Sequence, residues 1–331
     1  MNHNPFLDYI QKFNEKKILV IGDLMLDKYI VGPTKLAPEA PVPDLTEEKT
    51  LYRLGGAANV ANNISALGAT AYLFGVVGDD ENAEILKNLI KTKNNKIKPF
   101  YVTDKKKPTT TKTRFLDKEF GQQVFRFNQE SIEFIGKDLE NLIFSEAQKI
   151  IQEIDGIIIS DYSKGVMTPT LAGSLIKEAT PKIPVFVDAK PEHINYYSGC
   201  YLIKPNLYEA ELIVGRKLNI KDSKDIREFG KTFLSKTNSK YAVITLGKNG
   251  MLICDEEYEI IPTFAQEVFD VSGAGDTSIS ALALSNLIGA SIYDSAMISN
   301  YAAGIKVKKK GTAPVYAEEL IEILKLKGKI K

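Results

Sequence analysis

The sequence predicts an α/β protein built on a mostly parallel sheet, with a few extra strands taken from its first third. Three observations lead there. Short apolar runs ending in Gly, Asp or Pro recur along the chain, and helical runs separate those of the second half, the order expected of parallel βαβ units. With 44% hydrophobic and 26% charged residues the composition is that of a soluble globular protein. The 331 residues allow two domains, but no Pro-, Gly- or Ser-rich linker divides them, so one domain over residues 1–331 is expected.

The elements follow in order. Lys17–Asp23 has four consecutive apolar residues and then Gly-Asp, which reads as a strand buried on both faces. Residues 24–45 carry Pro33, Pro38, Pro41 and Pro43 and read as short extended pieces and loops, not as a long helix. Gly55–Ala69 reads as a glycine-opened helix with Ala58, Ala61, Ile64 and Leu67 on one face and Gly68 as its cap. Residues 70–80 give a strand and residues 82–94 an amphipathic helix. Ile97–Phe127 alternates like strands, most clearly in 109–117 and 122–128. Buried strands are then expected at 155–162, 183–190, 201–206 and 241–247, with helices at 171–180, 207–215 and 223–237. A strand pair near Met251–Thr263 leads to a small-residue helix, and Lys325–Lys331 reads as a frayed tail.

Composition also excludes some functions. Lys and Arg number 43 against 42 Asp and Glu, which argues against a general binder of nucleic acid or another polyanion. Cys200 and Cys254 make neither a disulfide framework nor a zinc cluster, and His3 and His193 leave little room for histidine chemistry. The start is too polar for a secretory signal. The uncharged stretch Thr277–Tyr293 falls short of the ~20 apolar residues of a membrane span and reads as a buried helix. A cytoplasmic protein without a membrane partner is expected.

Three motifs carry chemistry. In Asp270–Thr277 the run Gly273-Ala274-Gly275 makes a small-residue turn opening a helix, where amide N–H groups and the helix dipole favour an anion. Asp276 would repel that anion unless it had a task, and the natural task is to accept a proton from an attacking hydroxyl. A tight strand-to-helix turn is the plainer reading. Gly55-Gly56-Ala57-Ala58-Asn59 permits close approach to a ligand, with Asn59 able to meet a sugar hydroxyl, or else is a helix packed through alanines. Asp27 lies beyond a strand's carboxyl end, where α/β ligands bind, or is a solvated loop residue. No Walker A motif and no Gly-x-Gly-x-x-Gly opening a helix occur, which sets aside P-loop and dinucleotide readings; Gly247–Gly250 alone reads as a hairpin turn.

Together these motifs resemble the ribokinase-like (PfkB) sugar kinases, Gly55–Asn59 matching the family's first signature and Asp270–Asp276 its second. Gly22–Tyr29, Gly32–Thr34, Pro38–Pro43, Ser160–Gly165, Pro205–Glu209 and Gln266–Asp270 are similar to the branch that phosphorylates D-glycero-β-D-manno-heptose 7-phosphate. Leu54, Ala189 and Ser272 depart from the common pattern without removing a functional group. The resemblance implies a three-layer α/β/α sandwich with a lid of strands from about 28–45 and 100–127. It implies transfer of the ATP γ-phosphoryl group to the anomeric hydroxyl, giving heptose 1,7-bisphosphate for ADP-heptose and lipopolysaccharide cores. Asp276 would be the base and the amides of Gly273, Ala274, Gly275 and Asp276 the anion hole. Asp27, Gly55, Gly56 and Asn59 would hold the sugar, and Lys112, Arg114, Asp161, Lys164, Asp188 and Lys190 would serve the phosphosugar. Asn206, Glu209, Thr245, Gly247, Gly250, Asn300 and Ala303 would form the ATP side, with Asn206 and Glu209 holding Mg²⁺ largely through water; a monovalent cation is left open. A homodimer through the lid is expected. Many such enzymes are fused to a nucleotidyltransferase with a His-x-Gly-His motif; none stands here, which reads as a stand-alone kinase or an excised kinase domain. The alternatives are another sugar kinase of the family acting on ribose or a fructose phosphate, a non-catalytic sugar-binding regulator, and an oxidoreductase.

Overall fold

The computed structural model describes residues 5–93, 96–119, 121–265 and 267–327. After α1 (Pro5–Gln11), strand β1 (Lys17–Gly22) sends Ile18 and Val20 into one apolar core and Leu19 and Ile21 into another. A strand buried on both faces requires helices on both sides of its sheet.

The chain then leaves the main sheet. β2 (Leu24–Gly32) is one strand of nine residues where short pieces were expected. The prolines that suggested loops fall after it. Pro33 follows its end, while Pro38 and Pro41 lie in the bend between β3 (Thr34–Leu36) and β4 (Pro43–Leu45), a small antiparallel hairpin. β5 (Lys49–Gly56) returns antiparallel to β2 and passes directly into α2 (Ala57–Ala66). Gly55 and Gly56 therefore close a strand, and the helix starts one residue later. The face expected from Ala58, Ala61 and Ile64 is only part of α2, since nearly every residue of it is buried.

β6 (Thr70–Val77), α3 (Glu81–Lys93) and β7 (Ile97–Thr103) follow, and β7 pairs in parallel with β6. Residues 100–103 thus belong to the edge of the main sheet and not to the lid, a correction to the expected boundary. β8 (Thr111–Asp117) pairs in parallel with β2 and antiparallel with β9 (Gln123–Gln129), giving a lid sheet ordered β5-β2-β8-β9. The lid begins at Leu24 and includes 49–56, both outside the expected spans.

α4 (Lys137–Ile150) is an element the sequence pattern does not announce; Ile143 and Ala147 recur at helical spacing on its buried face. The regular alternation then appears as β10 (Gly156–Asp161), α5 (Pro169–Ala179), β11 (Val185–Ala189), β12 (Leu202–Ile203), α6 (Leu207–Val214), α7 (Ser223–Thr237) and β13 (Tyr241–Thr245). β14 (Met251–Cys254) and β15 (Glu259–Ile261) add an antiparallel edge, with Gly247–Gly250 turning between β13 and β14 as expected of a hairpin. α8 (Ala274–Leu287), α9 (Ile292–Lys306) and α10 (Ala317–Lys327) complete the chain. α10 runs through the first residues of the expected tail, and residues 328–331, like Gln266, lie outside the described residues.

The main sheet has nine strands in the order β15-β14-β13-β12-β11-β10-β1-β6-β7, parallel from β7 to β13. α2, α3, α8, α9 and α10 cover one face, and α4, α5, α6 and α7 the other. From β1 the chain goes to β6 on one side and later to β10 on the other, so β1 and β10 flank the topological switch point. In an open α/β sheet ligands bind at the carboxyl ends of the strands beside that point.

Candidate active site

The α8 turn is built from Asp270. Its Oδ1 accepts the Ser272 amide at 2.8 Å and its Oδ2 accepts the Gly311 amide at 2.7 Å, tying the turn to the loop after α9. Gly273 caps α8 at φ 77°, a left-handed conformation that favours glycine. A Cβ there would also come within 2.8 Å of Asn59 Nδ2. The Ala274 amide donates to Val271 O at 3.1 Å, so the expected anion hole loses this member. Among the described residues the amides of Gly273, Gly275 and Asp276 have no acceptor, and they remain for an anion at the helix start.

Asp276 sits just inside that turn and is 3% exposed. Asn59 Nδ2 donates to its Oδ2 at 2.6 Å and Tyr162 Oη to its Oδ1 at 2.7 Å. Burial pushes its pKa up to about 6 against those two hydrogen bonds; the charge of Asp188 pushes the same way and Lys204 opposes it. Asn59, expected at the sugar, is thus a partner of the candidate base and is itself buried against Asn63.

Tyr162 is positioned by two buried carboxylates. Asp23, at the end of β1, accepts the amides of Tyr162, Lys164 and Val166, shaping the loop after β10. Asp161 was expected to meet substrate, but it faces inward. It accepts the Ser163 amide at 2.8 Å, Tyr197 Oη at 2.6 Å and a contact from His193 Nδ1 at 2.7 Å, and it is 2% exposed. It orders the loop and is not open to a ligand. The Tyr162 ring then lies under two ammonium groups, Lys112 at 5.0 Å and Lys190 at 5.7 Å. Burial, with the charge of Asp276 next, holds the Tyr162 hydroxyl well above its usual pKa, so it serves as a donor.

On the lid, Asp27 and Arg114 form an ion pair at 2.7 Å, and the guanidinium lies 5.2 Å from the centre of the Tyr29 ring. The Tyr29 hydroxyl is buried without a hydrogen-bond partner among the described residues. A Cβ on Gly55 would come within 3.1 Å of Asp27 Oδ2, and one on Gly56, at φ 55°, within 2.3 Å of Asp23 O. The glycine pair therefore leaves room for the close packing of this strand end against Asp27 and Asp23. Lys112 is adjacent to Asp27 across β2 and β8, whereas Lys164 turns to Glu130 at 3.0 Å.

Beneath the α8 turn, Asp188 at the end of β11 pairs with Lys204 after β12 at 2.9 Å, and both lie 3.8 Å from where a Gly275 Cβ would stand. Asn206 and Glu209 form a reciprocal capping box on α6, each side chain accepting the other's amide at 2.9 Å. Glu209 Oε1 also holds Lys190 Nζ at 2.5 Å. All three side-chain oxygens of the pair are thus engaged, so what they can offer a metal is lone pairs for its bound waters and not an inner-sphere site. Among the described residues no cluster of three His, Cys, Asp or Glu could hold a metal. Thr245 bridges to Asn206, and exposed Gly247 and buried Gly250 follow it. Asn300 is buried and turned to the backbone, giving Nδ2 to Pro262 O at 2.6 Å and taking the Phe264 amide at 3.3 Å; Ala303 is half-buried on the same helix.

The sequence pattern of the pfkB family carbohydrate kinases matches residues 15–319. The chain belongs to this family. Among its curated relatives, Bifunctional protein HldE of Sulfurimonas denitrificans is 40% identical over 310 residues, covering 92% of this chain and 64% of that protein. HldE of Shewanella piezotolerans is 40% identical over 321 residues, covering 96% and 65%. The chain thus spans just under two thirds of these relatives. Among solved structures, phosphofructokinase-2 of Escherichia coli in complex with potassium superposes with a TM-score of 0.75 at 22% identity, covering 94% of this chain and 98% of that one. Ribokinase of Arabidopsis thaliana, complexed with ribose and ATP, superposes with a TM-score of 0.69 at 17% identity, covering 94% and 99%. At these identities both establish the ribokinase-like fold alone.

Three residues at this kinase's site are not singled out by the sequence. Tyr162 stands inside a quoted motif without a role, Tyr29 falls in a stretch that reads as a loop, and Lys204 is one lysine among many. Lys204 has a usable signal, its place inside the run 201–206 that reads as a buried strand, since buried lysines are rare unless paired.

Proposed function

We propose that this carbohydrate kinase transfers the γ-phosphoryl group of ATP to the anomeric hydroxyl of D-glycero-D-manno-heptose 7-phosphate, in the cytoplasm, and so feeds ADP-heptose and lipopolysaccharide core synthesis. The observation that carries the phosphoryl-transfer part is the buried Asp276 at the amide-lined start of α8, with its pKa raised to about 6. The heptose part is supported by the branch-like motifs and by the HldE relatives.

In the proposed step Asp276 takes the proton of the anomeric hydroxyl as that oxygen bonds to the γ-phosphorus. The bond between phosphorus and the ADP oxygen breaks, and ADP leaves. The amides of Gly275 and Asp276 and the ammonium of Lys204 meet the charge on the transferring group. Mg²⁺, when bound, neutralises the ATP phosphates, and Glu209 with Asn206 anchors its waters. Asp27 accepts sugar hydroxyls, while Arg114 and Lys112 face the sugar phosphate. Lys190, paired with Glu209, is set toward the nucleotide side. Closure of the lid keeps water from the γ-phosphate. Phe125 and Phe127, exposed on the edge strand β9, support a homodimer through the lid.

Coupled ADP-release assays over a panel of sugars test this reading. Turnover is expected with the 7-phosphorylated heptose; turnover with ribose or fructose 6-phosphate and none with the heptose would move the chain to another branch. Arg114→Ala should raise KM for the phosphosugar about 10- to 100-fold while leaving KM for ATP within about 2-fold, the loss expected for one charge-assisted contact. Equal effects on both would count against the phosphate role.

A further inference from the structure

The last residue of α9, Lys306, is 0% exposed. A buried ammonium normally faces a carboxylate. Lys306 Nζ instead faces main-chain carbonyls, donating to Asp270 O at 3.4 Å and Lys309 O at 3.3 Å. The carboxylate of Asp270 is already engaged by the amides of Ser272 and Gly311. Burial pulls the Lys306 pKa down and the charges of Lys309 and Arg53 push the same way, while Asp270 and, less strongly, Asp276 favour the ammonium form. The two acceptor carbonyls come from the two segments that build the anion-binding turn, the approach to Gly273 and the loop after α9.

Carbonyl oxygens turned into a dry spot are the donors with which proteins replace the water shell of K⁺. Ammonium and K⁺ are close in size and equal in charge, and here the position is filled by a group bonded to the chain. A free monovalent cation therefore does not fit at this place. We infer that Lys306 is a tethered substitute for a monovalent cation, joining Asp270 to the loop after α9 and holding the Gly273–Asp276 turn in shape, so that this kinase works without K⁺. Lys306 touches no reacting atom and acts as a positioning residue.

The test compares wild type with Lys306→Ala in KCl, NH₄Cl and tetramethylammonium chloride at equal ionic strength. Wild-type kcat is expected to change less than about 2-fold among the salts. Lys306→Ala should lose about 100-fold in tetramethylammonium, the scale of a lost electrostatic contact at the anion site, and regain at least about 10-fold in K⁺ or ammonium, with KM for the phosphosugar little changed. The activity arm rests on the proposed substrate; a second arm does not. In thermal unfolding without substrate, Lys306→Ala should gain a saturable rise in melting temperature with K⁺ over tetramethylammonium, because a cation bound only by the folded state stabilises it, and wild type should show none. If the alanine variant does not fold, Lys306→Gln is read in the same two ways. Wild type that requires K⁺, or that is itself stabilised specifically by K⁺, overturns the inference. So does a Lys306 variant indifferent to K⁺ in the melting arm, and that arm decides even if no heptose phosphate is turned over.

Discussion

Asp276→Asn is expected to lower kcat by about 10²–10⁴, the range that general-base catalysis supplies, while KM for ATP changes little. The substitution keeps the shape of the side chain. The oxygen of the introduced amide can still accept from Asn59 Nδ2, and its NH₂ group can donate to a rotated Tyr162 hydroxyl, so the turn should survive. Stability should move in the opposite direction. Burial raises the Asp276 pKa from 3.8 to about 6 in the folded protein. A carboxyl whose folded pKa is raised contributes stability below its unfolded pKa, and that contribution is lost as pH rises through about 6. At neutral pH the ionised group therefore costs roughly 3 kcal/mol, from a shift of about two units at 1.36 kcal/mol each. Asp276→Asn should be slower by that factor yet melt higher than wild type at pH 7, with the difference shrinking toward pH 4. Wild-type kcat should rise with pH through about 6 and then level, because only the carboxylate accepts the proton. A variant that keeps its turnover removes Asp276 as the base. One that melts lower than wild type at every pH shows that the carboxylate was retained for structure.

The fold was legible where one local rule decides. Ile18–Ile21 could only be a strand buried on both faces, and the βα alternation after residue 155 imposed a parallel sheet. The lid was less legible because its strands differ in exposure, β2 being nearly all buried and β9 nearly all exposed, and because prolines crowd the stretch after β2. The prolines marked the ends of β2 and of the hairpin, not the absence of strand. Residues 100–103 alternate as a lid strand would, and only pairing with β6 assigns them to the main sheet. At the site, Asp276 and the glycine turn could be read because an acid at an anion-binding helix start is chemically unusual. Asn59, Asp161 and Asn300 have protein partners that the sequence does not show, for a common reason. Each is a polar residue in a distinctive motif, but the group that satisfies it comes from another segment: Asp276 for Asn59, Tyr197 and His193 for Asp161, and the backbone of Pro262 and Phe264 for Asn300. Local sequence says that a polar group needs a partner; it does not say whether that partner is protein or ligand.

Lys204 carries the second large expected effect. Its ammonium is buried, 2.9 Å from Asp188, beside the amide-lined end of α8, and its charge works against the burial that raises Asp276. Lys204→Met keeps the length of the stem and removes the charge. Two consequences should appear together. Loss of one preorganised electrostatic contact to the transferring phosphoryl group should lower kcat about 10²–10³-fold. Without the cation, and with Asp188 left unneutralised nearby, Asp276 should hold its proton to higher pH, so the acid limb of the kcat profile should move up from about 6. A merely structural ion pair would lower the melting temperature without moving that limb. Asp188→Asn separates the two roles. It removes the negative charge and leaves the ammonium in place, so the limb should shift down while stability also falls, since the buried Lys204 ammonium loses its charged partner. Because the two residues act through one contact, the double variant should lose less than the product of the single losses. If the acid limb stays in place in both single variants, Lys204 does not set the charge state of Asp276. The anion site is then made by the backbone amides of Gly273, Gly275 and Asp276 alone.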